Sequence, residues 1–212
     1  TADQTSLKII DPYAFHFMET PTSIAFADDM TFGTCQESRN TYNDQSAPHD
    51  FMGPSLWSAD FDIYGISNPE AVAGLGFDLG SHLDMLHETP LCMGMAWEQD
   101  NVYWTFEGLT GTIARQDFAR DHGVGWDDHS DGVMQRFVDA EVSRVAGVPT
   151  HLVYDRDSDL LYVADTGNSR IALLDPTTAT QGSQMPVVEP GTKLWTMNGG
   201  DFSTFISGAD GE

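Results

Sequence analysis

Pro149-Thr-His-Leu-Val-Tyr154, Asp155-Arg-Asp-Ser-Asp159, Leu160-Leu-Tyr-Val-Ala164, Thr166-Gly-Asn-Ser169 and Arg170-Ile-Ala-Leu-Leu-Asp175 follow one another along the chain, and this stretch decides the fold. Short apolar runs alternate with clusters of Asp, Gly, Asn and Ser. The pattern predicts three short strands joined by tight turns, that is, a meander. Upstream, Asn101-Val-Tyr-Trp-Thr-Phe106, Gly111-Thr-Ile-Ala-Arg115 and Val133-Met-Gln-Arg-Phe-Val138 repeat it as the second, third and fourth strands of a preceding unit.

A proline followed by alternating apolar residues recurs at Pro21, Pro54, Pro90 and Pro149, with spacings of 33, 36 and 59 residues. Proline suits the first residue of a strand, where its missing N–H breaks no ladder bond. The four prolines therefore mark expected repeat starts. The chain reads as one all-β domain over residues 1–212, a β-propeller-like array of short meander blades, irregular or incomplete, with its clearest repeats at 90–142 and 149–176. At roughly 40 to 45 residues per blade the length supplies about five blades. Residues 34–51 read as a long polar loop, and Pro69 to Asp84 as a bulged strand or a short helix.

Leu161-Tyr-Val-Ala-Asp-Thr-Gly-Asn-Ser-Arg-Ile171 resembles the NHL-repeat signature of six-bladed extracellular propellers. The resemblance implies that Asp165 and Asn168 tie the turn between two strands through Asx-type bonds to its N–H groups.

Charge narrows the function. Nine Lys and Arg against 33 Asp and Glu leave a formal net charge of −24, which repels nucleic-acid phosphates and anionic membranes and attracts divalent cations. No run of 18 apolar residues is present, so no membrane insertion is expected, and the opening Thr-Ala-Asp-Gln-Thr-Ser lacks a signal pattern, as a mature secreted or cell-surface chain would. Cys35 and Cys92 are far apart, which fits one long-range disulfide better than a redox or zinc motif; two buried thiols are the alternative.

The densest polar constellation is Asp121-His-Gly-Val-Gly-Trp-Asp-Asp-His-Ser-Asp-Gly132. Oxygen donors from Asp127, Asp128 and Asp131 suit calcium, whereas the imidazoles of His122 and His129 suit copper or zinc. The loop lacks the spacing and closing Glu of an EF-hand. His82 and His87 form a second cluster, His87 being expected in a loop just before an inner strand. A five-residue separation puts the two on opposite strand faces, so they do not chelate one ion together. His49 is a further donor after a polar segment, while His16 and His151 sit in apolar contexts that favour core positions. Met93 and Met95, Trp97, Trp104 and Trp195 read as strand packing, while Trp57 and Trp126 neighbour candidate loops. No nucleophile elbow, P-loop or zinc-protease motif occurs.

An acidic NHL-like domain with these His, Trp and Asp loops resembles the MopE/CorA family of surface copper-binding proteins of methanotrophic bacteria. The resemblance implies a Cu(I) (Cu+) site of two histidines and a kynurenine made from tryptophan. His129 or His122 would be one ligand, His49 or His87 the other, and Trp126 or Trp57 the precursor. The family's tryptophan-x-histidine motif is absent, since Ala59 and Asp128 stand at that spacing. Two other readings are open. NHL-like propellers include a zinc-dependent lyase that cleaves peptidyl-hydroxyglycine, and a calcium-stabilised adhesion or scaffold module needs no chemistry at all.

Overall fold

The computed structural model of the protein describes residues 6–11, 13, 15–18, 20–40 and 49–208. After a one-turn helix α1 (Phe15–Met18), the chain forms a four-stranded antiparallel sheet in sequence order: β1 (Pro21–Phe26), β2 (Thr31–Gln36), β3 (Ser55–Ser58) and β4 (His82–Met85). A short helix α2 (Pro69–Leu75) lies between β3 and β4. Asn68 starts it by accepting the N–H groups of Glu70 and Ala71, proline occupies its first turn, and Gly76 at φ 76° ends it. A second meander follows: β5 (Met95–Gln99), β6 (Val102–Glu107), β7 (Thr112–Asp117) and β8 (Val133–Phe137).

The third meander is the one on which the sequence reading began. It contains β9 (Leu152–Asp155), β10 (Leu160–Asp165) and β11 (Arg170–Asp175), with register Leu161 to Leu174 and Val163 to Ala172. The chain then returns to the second sheet as the hairpin β12 (Thr180–Met185) and β13 (Lys193–Asn198), β13 lying parallel to β8. Finally β14 (Asp201–Ser207) pairs with β11 at the edge of the third sheet. The described residues thus hold three open sheets of four, six and four strands, an all-β fold.

Alternation explains how the sheets pack. Along β10, Leu161 and Val163 are buried while the residues between them are half-buried. On β6 every residue is buried, because the second sheet is covered by the first on one side and the third on the other. Trp104, Phe106, Ile113, Leu161, Val163 and Leu174 join the second and third sheets; Leu56, Leu83, Met95, Tyr103 and Met134 join the first and second. A third cluster of Phe17, Phe32, Met52, Trp57 and Met85 belongs to the first sheet. Met93 and Met95 are core residues, as their spacing indicates.

Several expectations need correction. Pro21 does begin the first sheet, and Pro90 and Pro149 precede the first strands of the second and third, but Pro54 leads into β3, a third strand. The 33-residue spacing therefore crosses the middle of a sheet, and there are three sheets among the described residues where length suggested about five units. Thr34, Cys35 and Gln36, expected in a loop, belong to β2; residues 41–48 of that loop lie outside the described residues, as does the side chain of His16. The Cys35–Cys92 disulfide is formed and fastens β2 to the segment leading into β5. Asp165 does tie its turn, but through side chains: its Oδ2 accepts from Asn168 at 2.8 Å and Arg170 at 2.7 Å, and its Oδ1 accepts the Ser143 N–H at 2.9 Å.

Candidate metal centre

The edge of the first sheet is β4, and the long loop between β7 and β8 closes over it. The Gly125 N–H donates to the His82 carbonyl at 2.8 Å and the His122 N–H to the Leu83 carbonyl at 3.2 Å, so the loop continues the ladder where the sheet stops. Gly125 has φ 71°, and a Cβ there would stand 2.7 Å from the Gly80 carbonyl oxygen, which is why this contact needs glycine. Two aspartates shape the loop. Asp121 accepts the Gly123 N–H at 2.5 Å, and Asp128 accepts the N–H of Ser130 at 3.1 Å and its hydroxyl at 2.7 Å. The docked loop carries His129 against Asp84 of β4.

Asp84 is fully buried, and its Oδ1 lies 2.7 Å from both the Met85 N–H nitrogen and His129 Nδ1. Burial pushes the carboxyl pKa up to about 8 and the His129 pKa down to about 4, each charge being costly out of water. These directions make the pair neutral near pH 7. With the carboxyl proton on Oδ2, Oδ1 accepts from both the Met85 N–H and the His129 Nδ1–H, and in that arrangement the Nε2 lone pair is free. Asp84 Oδ2 has no hydrogen-bond partner.

His87 follows β4 and lies in the connection to β5, the strand of the second meander that contacts β1 and β9, where a loop before an inner strand was expected. Its Nδ1 lies 2.5 Å from the Phe51 carbonyl oxygen, which only accepts, so this nitrogen too carries the proton and Nε2 is free. The ring stacks on Phe51 with centroids 4.4 Å apart. Burial lowers the His87 pKa to about 4.

His87 and His129 share one cavity of about 390 Å³. Its apolar walls are Phe17, Phe51, Phe77, Leu79 and Met85, with Asp127 and Glu189 as the carboxylates. The two imidazole centroids lie 6.2 Å apart. One ion bonded to both Nε2 atoms spans about 6 Å between ring centres, from metal–nitrogen bonds of roughly 2 Å and rings of about 1 Å radius. Met85 adds a thioether to the same walls, and Glu189 Oε2 is 4.0 Å from His87 Nε2.

The other candidates go elsewhere. His49 Nδ1 faces Glu88 at 3.1 Å and does not line the cavity. His122 pairs through Nε2 with Asp131 at 2.7 Å, which raises its pKa against the opposing effect of burial. His82 is buried between the carbonyls of Leu79 and Trp126 at 2.9 and 2.8 Å, so both nitrogens are capped. Burial lowers its pKa to about 4, and a neutral ring donates to only one of them. Asp127 reaches the cavity, Asp128 caps its own turn, and Asp131 binds His122 and Arg120, so each has a separate job. Trp57 is buried, its indole N–H donating to Thr34 Oγ1 at 2.8 Å, and Trp126 packs against Gly74 of α2; neither lines the cavity.

Asp84, Met85 and Glu189 were not among the sequence candidates. The first two stand inside His82-Leu-Asp-Met-Leu-His87, where a single aspartate set among apolar residues was the signal available. Compared with known proteins, the chain matches no family model, no curated protein and no solved structure.

Proposed function

We propose that this protein binds one copper(I) ion in the cavity between the end of β4 and the loop that closes over it, and serves copper acquisition at a cell surface or outside the cell. One observation carries the reading. Two buried imidazoles, each bonded through Nδ1 to an oxygen, line one largely apolar cavity, and with the protons on Nδ1 both Nε2 lone pairs are free to bind an ion. Neutral nitrogen donors and a soft thioether in apolar surroundings favour Cu(I) over hard, oxygen-loving cations. His87 and His129 would hold the ion, with Met85 the soft third donor that the walls themselves supply. Bound copper would bring electron-transfer chemistry to the site; the chain supplies orientation and exclusion of water.

The three meanders support an NHL-type, propeller-like reading of the fold, because their first strands β1, β5 and β9 lie side by side. A disulfide and an acidic surface support an oxidising, extracellular setting. Competition against a chromogenic Cu(I) chelator tests the function: one equivalent should bind to the wild type, and His87→Ala and His129→Ala should each weaken it at least a hundredfold. Unchanged affinity in both variants would exclude the site. Intact mass of the native protein reports separately on tryptophan oxidation.

A further inference from the structure

Behind the His87 and His129 cavity lies a second group of donors. Asp84, His122 and Asp131 each offer one ligand atom, and these atoms lie within 4.8 Å of one another. They come from β4 and from the two arms of the loop docked on it, so the group exists only in the folded molecule. Asp84 Oδ1 is fully used by the Met85 N–H and His129, which leaves Oδ2 as the oxygen it can offer. That atom is completely buried and has no partner. An orphaned buried carboxyl oxygen is costly, and a cation that takes the place of its proton removes the cost. Solvent reaches the group from the side of Asp131, whose side chain is 27% exposed, past the 13% exposed His122.

We propose that Asp84, His122 and Asp131 form a second metal site, distinct from the copper cavity, for a divalent ion of the zinc class. Once binding displaces the proton that burial keeps on Asp84, two carboxylates match the charge of such an ion, and the imidazole argues for zinc over calcium, which requires six to eight oxygens. Asp128 Oδ2, 3.8 Å from His122 Nδ1, stands at the rim as a further oxygen. Asp84 joins the two sites: one oxygen orients the His129 ring that faces copper, and the other faces the second ion. This is the carboxylate–histidine arrangement by which an outer ligand tunes an inner one.

Co²⁺ titration of the full chain, read by its visible d–d absorption and followed by Zn²⁺ displacement, tests the proposal. Saturation near one equivalent is expected in the wild type and in His87→Ala. His122→Ala and Asp131→Asn should lower Co²⁺ affinity at least tenfold while still taking up one equivalent of Cu(I), the latter change being a near-isosteric replacement at a partly exposed side chain. The absence of a cobalt signal in the wild type, or wild-type affinity in both variants, would overturn the site. A signal lost in His87→Ala would place the ion in the copper cavity and overturn it equally. Loss of Cu(I) binding in His87→Ala with cobalt binding retained supports two separate sites, and a failure of the copper reading alone leaves the cobalt result interpretable.

Discussion

A buried imidazole resists protonation where the cost of desolvating its charge outweighs the pull of nearby acids, and His82, His87 and His129 all do so, each pushed down to about 4 mainly by burial. Their counterparts in the unfolded chain titrate near 6.5, so between about pH 4 and 6.5 the unfolded state binds more protons. Each of these groups therefore contributes stability that is present above its unfolded pKa and is lost as pH falls toward about 4. His87→Gln keeps a donor for the Phe51 carbonyl and removes one titrating ring. Relative to the wild type, its unfolding free energy should fall less steeply over this window, by about 1.4 kcal/mol per pH unit where one whole proton is involved. Urea melts of metal-free protein at pH 4.5, 5.5 and 6.5 measure this, and parallel slopes would refute it. At this scale the sequence shows which residues are chemically able, but not which meet. His129 was a candidate from its own loop, while its partner Asp84 stands 45 positions away on a strand and becomes a neighbour only when that loop docks.

The docking is a property of elements, and it makes a prediction that no metal ligand enters. The β7–β8 loop holds to β4 through the N–H groups of Gly125 and His122, and Gly125 sits at φ 71° against the Gly80 carbonyl. Gly125→Ala brings backbone strain and a 2.7 Å contact with that oxygen, and so should lift the loop and carry His129 out of register with His87. Cu(I) affinity is expected to drop tenfold or more, with the far-ultraviolet circular dichroism unchanged. Retained affinity would mean that the loop position does not set the site. Cys35–Cys92 holds two other elements, β2 and the approach to β5, and closes a separation of 57 residues. In the chain-entropy model a loop of this size is worth about 4 kcal/mol, so the double variant Cys35→Ser, Cys92→Ser should unfold at lower denaturant by that order, measured against oxidised wild type. Elements themselves were legible where alternation and turn residues agreed: β10, β11 and β8 stand close to where the pattern put them. Sheet membership was not, because a proline at the start of a strand marks the strand and says nothing of its place in the sheet. Pro54 and the late return of β12 and β13 to the second sheet both show this.

Over the whole molecule, the balance of charge sets how the fold responds to its surroundings. Nine basic residues face 33 acidic ones, and Arg39, Arg115, Arg120, Arg144, Arg156 and Arg170 are already engaged in ion pairs with carboxylates. The surplus carboxylates therefore repel one another across the surface with few cations left to offset them. Added salt acts on two opposing terms: it weakens the local pairs, which are short-range, and it screens the repulsion, which is long-range. The Debye length shrinks from about 30 Å at 0.01 M to about 10 Å at 0.1 M, a change that spans distances across the molecule but not within a pair 2.7 Å apart such as Arg115–Glu98. Repulsion should lose more than the pairs do. The melting temperature is expected to rise between 0.01 M and 0.1 M NaCl, by about 2–4 °C for each kcal/mol regained. Chelator-treated protein must be used, so that ion binding at the metal sites does not add its own stabilisation. A melting temperature that falls with salt under these conditions would show that the ion pairs, and not the net charge, dominate the electrostatics of the folded chain.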